Sequence, residues 1–214
     1  MILKKIEVEP GNAYRTNCYI VADDETKEAM VVDPGGEPEK ILNMIDVLEV
    51  NVKYIVLTHC HGDHISGVPQ VKEKTGAKVL IFRSEAEVVN NPNVNLIYFV
   101  GLEEIHIEVD SRLDDGDLIH VGNLEFQVIH TPGHTAGCIC LYNKEYKMLL
   151  SGDTLFSGTW GRTDLPTSSF EDIINSITNK LMILPEETIV YPGHGRPTII
   201  KDEEKVYLNL KPRG

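Results

Sequence analysis

The chain has 214 residues, 42% hydrophobic and 25% charged, a globular mix long enough to bury roughly 70% of its unfolded surface without disulfides or metal to help it fold. Twenty Lys and Arg against 33 Asp and Glu leave a net charge of −13, a field that repels phosphate backbones and anionic lipid and so argues against nucleic acid or membrane as partner. The longest nearly apolar run, residues 96–102, is far too short to cross a bilayer, and Met1-Ile2-Leu3-Lys4-Lys5 lacks the basic-then-apolar pattern of a secretion signal. Cys18, Cys60, Cys138 and Cys140 form no C-x-x-C pair, which fits reduced thiols in a cytoplasmic protein.

Residues 3–8, 18–21 and 29–32 read as strands, the last stopped by Asp33-Pro34-Gly35-Gly36. Residues 37–50 predict a helix with Ile41, Leu42, Ile45 and Leu48 on one side. A buried-type strand over 54–57 leads into a helix expected from Asp63 to Lys74, then a strand over 79–82 and a helix over 84–89. In the second half, 118–121, 124–129, 139–142 and 148–150 read as strands, 170–181 as a helix, 188–191 as a last strand and 202–208 as a short helix. Two strand-rich halves, each followed by helices and with no linker between them, predict one α/β domain over 1–214, built as two sheets face to face with helices outside.

The chemistry concentrates in Thr58-His59-Cys60-His61-Gly62-Asp63-His64, where four ligand-type side chains crowd one strand end. His59 and His61 can point the same way from an extended loop, and Asp63 and His64 can face a second position one turn on. More candidate ligands stand at distant strand ends: His134, Asp153 and His194. Five His and two Asp exceed what one tetrahedral ion uses. A division with His59, His61 and His134 on one ion, Asp63, His64 and His194 on another and Asp153 between them accommodates all seven, with a hydroxide held at Asp63 and Asp153. His106 and His120 alternate with apolar residues and read as solvent-facing strand positions, and His130 reads as a strand-end histidine.

Thr58–His64, Thr131-Pro132-Gly133-His134-Thr135, Ser151-Gly152-Asp153-Thr154 and Pro192-Gly193-His194-Gly195 resemble, in order and spacing, the signature of the metallo-β-lactamase superfamily. That resemblance implies a four-layer αββα sandwich with metals at one edge of the sheets. It implies two divalent ions, zinc ahead of iron or manganese, and a role for Asp33 in holding the ligand loops from behind. Asp153 where the zinc β-lactamases carry Cys, and the acidic charge, point away from the β-lactamases and the tRNA-processing members. Phe156-Ser157-Gly158-Thr159-Trp160-Gly161-Arg162-Thr163-Asp164-Leu165-Pro166 resembles the glyoxalase II group, in which Arg162 would hold a carboxylate of a thiol conjugate. Only 20 residues follow His194, so the chain is similar to the short, single-domain glyoxalase II-like hydrolases, and glutathione as the thiol stays open.

The function so implied is hydrolysis of a small-molecule thioester, such as a 2-hydroxyacyl-glutathione conjugate, by a metal-bound hydroxide. The departing thiolate needs no strong general acid. Persulfide dioxygenases, which resemble the chain equally in Gly161–Asp164 and use a mononuclear iron on the equivalents of His59, His134 and Asp153, are the competing reading. A non-catalytic metal-binding module is a third. Oligomeric state is left open.

Overall fold

In the computed structural model, which describes residues 1–207, the alternation of apolar side chains along nearly every strand sorts the core into three slabs. On the strand β2 (Thr16–Ala22), Cys18, Ile20 and Ala22 face one way and Tyr19 and Val21 the other. Such strict parity with both faces buried means that the sheet is covered on both sides.

The first sheet runs β1 (Ile2–Val8), β2, β3 (Glu28–Val32), β4 (Asn51–Leu57), β5 (Lys78–Phe82) and β6 (Ser111–Leu113) in spatial order, antiparallel up to β3 and parallel beyond. Its outer face packs on helices α1 (Pro38–Leu48) and α3 (Val68–Thr75) through Ile41, Ile45, Val68 and Val71. The second sheet has the spatial order β14-β13-β10-β9-β8-β7: β7 (Leu118–Val121), β8 (Leu124–His130), β9 (Ile139–Asn143), β10 (Met148–Gly152), β13 (Ile189–Pro192) and β14 (Thr198–Ile199). Between the sheets, Met30, Val56 and Leu80 meet Phe126, Leu141 and Leu150. The far face of the second sheet takes Ile173, Ile177, Leu181 and Tyr207 from α6 (Phe170–Ser176), the π-helical turn Ile177–Leu181 and α7 (Ile200–Tyr207). The four layers are thus αββα. Among the described residues no helix is long and apolar enough to cross a membrane.

Local chemistry accounts for the differences from the expected elements. The helix expected over 63–74 breaks into α2 (Gly62–Ile65) and α3, because Pro69 cannot extend a preceding turn but is well placed in the first turn of a new one. The helix expected over 84–89 shortens to α4 (Arg83–Ala86), and a further turn, α5 (Pro92–Asn95), follows. The helix over 170–181 starts on the Ser169 side chain, which accepts from Asp172 N, and widens at Ile177, where Met182 N donates to Ile177 O. His120 is exposed on β7 as expected, whereas exposed His106 lies outside the regular strands. Of the helix expected over 202–208, Leu208 lies outside the described residues. A short hairpin, β11 (Leu155–Phe156) and β12 (Thr159–Trp160), folds over the sheet edge where the candidate ligands collect.

Candidate metal centre

Every candidate ligand stands at or just beyond the C-terminal end of a strand. His59, His61, Asp63 and His64 follow β4, His134 follows β8, Asp153 follows β10 and His194 follows β13. The structure brings all seven together. Nitrogens of His59, His61 and His134 lie within 4.8 Å of one another, as do donor atoms of Asp63, His64 and His194. Asp153 sits between the trios: its Oδ2 is 3.5 Å from His134 Nε2 and 3.4 Å from His194 Nε2, and its Oδ1 is 3.3 Å from His64 Nε2.

The hydrogen bonds behind these rings decide which nitrogen faces inward. His134 Nδ1–H donates to the carbonyl of Arg162 and His194 Nδ1–H to the carbonyl of Arg15, both at 2.8 Å. A carbonyl only accepts, so each Nε2 is the nitrogen left to face the interior. His64 Nδ1–H donates to Asp33 Oδ2 at 3.0 Å. Thr58 Oγ1 donates to the same oxygen at 2.7 Å and is left to accept from His59 Nδ1–H at 3.1 Å. The inward nitrogens crowd one another: His64 Nε2 is 3.3 Å from His194 Nε2, and His61 Nδ1 is 2.9 Å from His134 Nε2. His59 Nε2, His61 Nε2 and Asp153 Oδ1 are buried without any hydrogen-bond partner. Crowded inward ring nitrogens and buried polar atoms left without partners are what a bound cation would satisfy, and a set of imidazoles and carboxylates fits divalent zinc, iron or manganese.

The electrostatics without metal agree. Burial pushes His59 well below its ordinary range and His61 down to about 3, so both stay neutral donors. Burial also opposes charge on His64 and His194, but the Asp153 and Asp63 carboxylates outweigh it, holding His64 well up and His194 at about 10. Protons stand there in place of metal charge. Burial works against the Asp153 carboxylate too, yet His194 and His64 hold it far below the usual range.

Asp33, 2% exposed, takes Thr58 N on Oδ1 at 2.8 Å besides its two bonds on Oδ2. With three bonds already accepted, its carboxylate backs the candidate ligand rings. Gly193 is required by closeness, since a Cβ there would stand 2.3 Å from Asp153 Oδ1. Gly62 is required for the same reason: a Cβ would meet Ile97 Cα at 2.8 Å. Cys60 is a small buried residue between two candidate ligands, its thiol pushed up by burial. His130 stacks on Phe82 with ring centroids 4.2 Å apart, a packing role.

The sequence reading missed the struts. Glu85, 2% exposed, accepts from Cys60 N at 2.8 Å and Gly137 N at 2.9 Å, tying the His59–His61 loop to the segment after His134. Asn17 donates to the carbonyls of Pro192 and Gly195, and Tyr19 to that of Pro192, fixing the His194 loop. Arg162 lies on the cleft wall, but its guanidinium is exposed and forks onto Asp164 with two 2.9 Å bonds; its carbonyl is the atom that touches the centre.

The hydroxyacylglutathione hydrolase GloC of Haemophilus influenzae is 34% identical over 210 residues, covering 96% of this chain and 99% of that protein. Among solved structures, the B3 metallo-beta-lactamase BLEG-1 superposes with a TM-score of 0.89 at 33% identity over 99% of this chain and 100% of its own. TTHA1623 in a di-iron-bound form does so with 0.84 at 31%, covering 95% and 98%. ETHE1 from Myxococcus xanthus gives 0.79 at 28%, covering 97% and 83%. Residues 11–194 match the metallo-beta-lactamase superfamily, and the chain belongs to it.

Proposed function

We propose that the protein is a dinuclear metallo-hydrolase of thioesters. One observation carries the reading: two trios of inward-facing donors, His59/His61/His134 and Asp63/His64/His194, with the Asp153 carboxylate between them. When bound, two divalent ions supply a nucleophilic hydroxide at neutral pH and a Lewis acid for the carbonyl. The chain supplies the rest. Asp63 and Asp153, 3.4 Å from His194 Nε2, are placed to orient the attacking oxygen. A leaving thiolate of pKa about 8.5 departs without a proton donor, and all five histidines of the centre are engaged, so a substrate that needs no general acid suits the site. Buried thiols at Cys18, Cys60, Cys138 and Cys140 argue against a protein nucleophile. The likeness to GloC over both full lengths supports the thioester class.

The likeness to ETHE1 is compatible with a second reading, oxygen chemistry on a persulfide by a single iron on His59, His134 and Asp153. The test loads the metal-free protein with zinc, manganese or iron and follows thiol release from S-lactoylglutathione beside oxygen uptake on a persulfide and ring opening of a β-lactam. Thiol release with no oxygen uptake is expected; oxygen uptake or lactam opening without thiol release overturns the proposal.

A further inference from the structure

The metals' edge is the floor of a cavity of 760 Å³, and its walls are built to a different chemistry from the floor. One group of apolar lining residues, Tyr14, Leu96, Phe99 and Val100, comes from two loops, and a second, Phe156 and Trp160, from the β11–β12 hairpin. Tyr14 is 91% and Phe99 84% exposed, an unusual placement for large rings unless something covers them.

Both groups are tied to the centre. Tyr14 precedes Arg15, whose carbonyl holds His194, and Asn12 N donates to Val100 O at 2.8 Å, joining the two loops of the first group. Ile97, fully buried, packs its backbone against Gly62 between His61 and Asp63. In the second group the Phe156 ring centroid is 6.0 Å from that of His194. The rings are thus carried at fixed offsets from the donors.

The cations on the walls are already matched. Arg15 lies 2.8 Å from Glu9 and 3.9 Å from Glu7, and Arg162 forks onto Asp164. An anionic conjugate would have to displace these carboxylates in a protein of net charge −13. A neutral apolar group would cover Tyr14, Phe99 and Trp160 and displace only water.

We infer that the cleft selects thioesters with an apolar acyl arm of several carbons on an uncharged thiol, with Tyr14 and Phe99 as specificity-determining residues. The inference rests on the thioester reading for its chemistry but not for its recognition surface. The arm lies along the aromatic wall while the carbonyl sits at the floor between the trios.

Two measurements on the metal-loaded protein test it. The first is kcat/KM for acetyl, butyryl and hexanoyl thioesters of N-acetylcysteamine, with S-lactoylglutathione alongside. The second needs no turnover: quenching of Trp160, the chain's one tryptophan, by methyl, butyl and hexyl thioethers of the same thiol. Each methylene is expected to raise kcat/KM and thioether affinity about threefold to fourfold, the ratio matching about 0.8 kcal/mol per buried CH₂. The double substitution Tyr14→Ala with Phe99→Ala, at exposed positions that leave the core intact, is expected to bring that step below twofold. Flat dependence on chain length in both measurements, a slope unchanged by the double substitution, or a preference for S-lactoylglutathione over the hexanoyl ester overturns the inference. Thioether affinity that still climbs with chain length while no thioester releases thiol overturns the hydrolase reading and leaves the apolar cleft standing.

Discussion

Replacing Asp33 by Asn changes one atom at the back of the metal centre and leaves the backbone unstrained. Asp33 has φ 52, a left-handed conformation that Asn tolerates as well as Asp, so the effect reports on the lost carboxylate. Oδ1 keeps its bond from Thr58 N. The new amide nitrogen cannot accept, and it faces the two donors that Oδ2 serves, Thr58 Oγ1–H at 2.7 Å and His64 Nδ1–H at 3.0 Å. The Thr58 hydroxyl can rotate and accept from the new amide; the buried ring N–H of His64 has no such freedom. Losing one hydrogen bond to a charged group costs about 1.5–3 kcal/mol, and repulsion of the stranded donor brings the expected loss to about 3 kcal/mol. His64 then turns its proton towards Asp153, so the trio with Asp63 and His194 should lose metal affinity by about 10–100-fold while the His59 trio loses less. Urea unfolding of the metal-free variant measures the first quantity, and competition with a chromophoric zinc chelator the second. A stability loss under about 0.5 kcal/mol together with two unchanged zinc affinities would refute the assignment of Asp33 as the anchor of these rings.

Asp63→Asn is expected to remove mainly the ion of the Asp63/His64/His194 trio; metal analysis should fall from two equivalents towards one, and unchanged stoichiometry counts against Asp63 as a ligand. His64 and His194 are held protonated in the metal-free protein, His194 up to about 10, so zinc binding should expel protons. An unbuffered titration at pH 7 should acidify, and affinity should rise with pH over the range where these histidines give up their protons; pH-independent affinity contradicts the geometry. Raised histidine pKa values also stabilise the metal-free fold at low pH, a contribution lost as pH climbs through about 10, so its unfolding midpoint should drop there while that of the zinc form holds. A thiol dye should label none of the four buried cysteines before unfolding and all four after it; rapid labelling of native Cys60 would mean that the ligand loop opens.

Much of the candidate centre was legible because ligand-type side chains announce themselves by residue type at strand ends. His59, His61, His134 and the rest follow runs whose burial pattern is plain, so their meeting at one sheet edge follows from the layering. The struts are silent for physical reasons. The carbonyls of Arg15 and Arg162 orient His194 and His134, and a carbonyl leaves no trace in residue identity. Glu85 looks like any polar residue near a helix start, and only the fold shows it bridging Cys60, 25 positions before it, and Gly137, 52 positions after it. Arg162 drew attention by its side chain, whereas its main chain makes the contact. Residues 103–110 alternate like a strand but satisfy their backbone in part on the Asn90 side chain, which both accepts from Ile107 N and donates to Ile107 O. The widened turn at Ile177 has no marker in composition.

Exposure divides the two trios unevenly. His59, His61 and His134 are at most 4% exposed, whereas the Asp63 and His194 side chains are 18% and 23% open to the cleft. The first trio is the more enclosed, yet His61 and His134 also line the cleft, so an ion held there would reach solvent along that cleft and should exchange more slowly. An ion held by the open trio can shed ligands one at a time to incoming water and swap with whatever cation the surroundings offer. Two ions held in this way would differ in how readily each exchanges with solution.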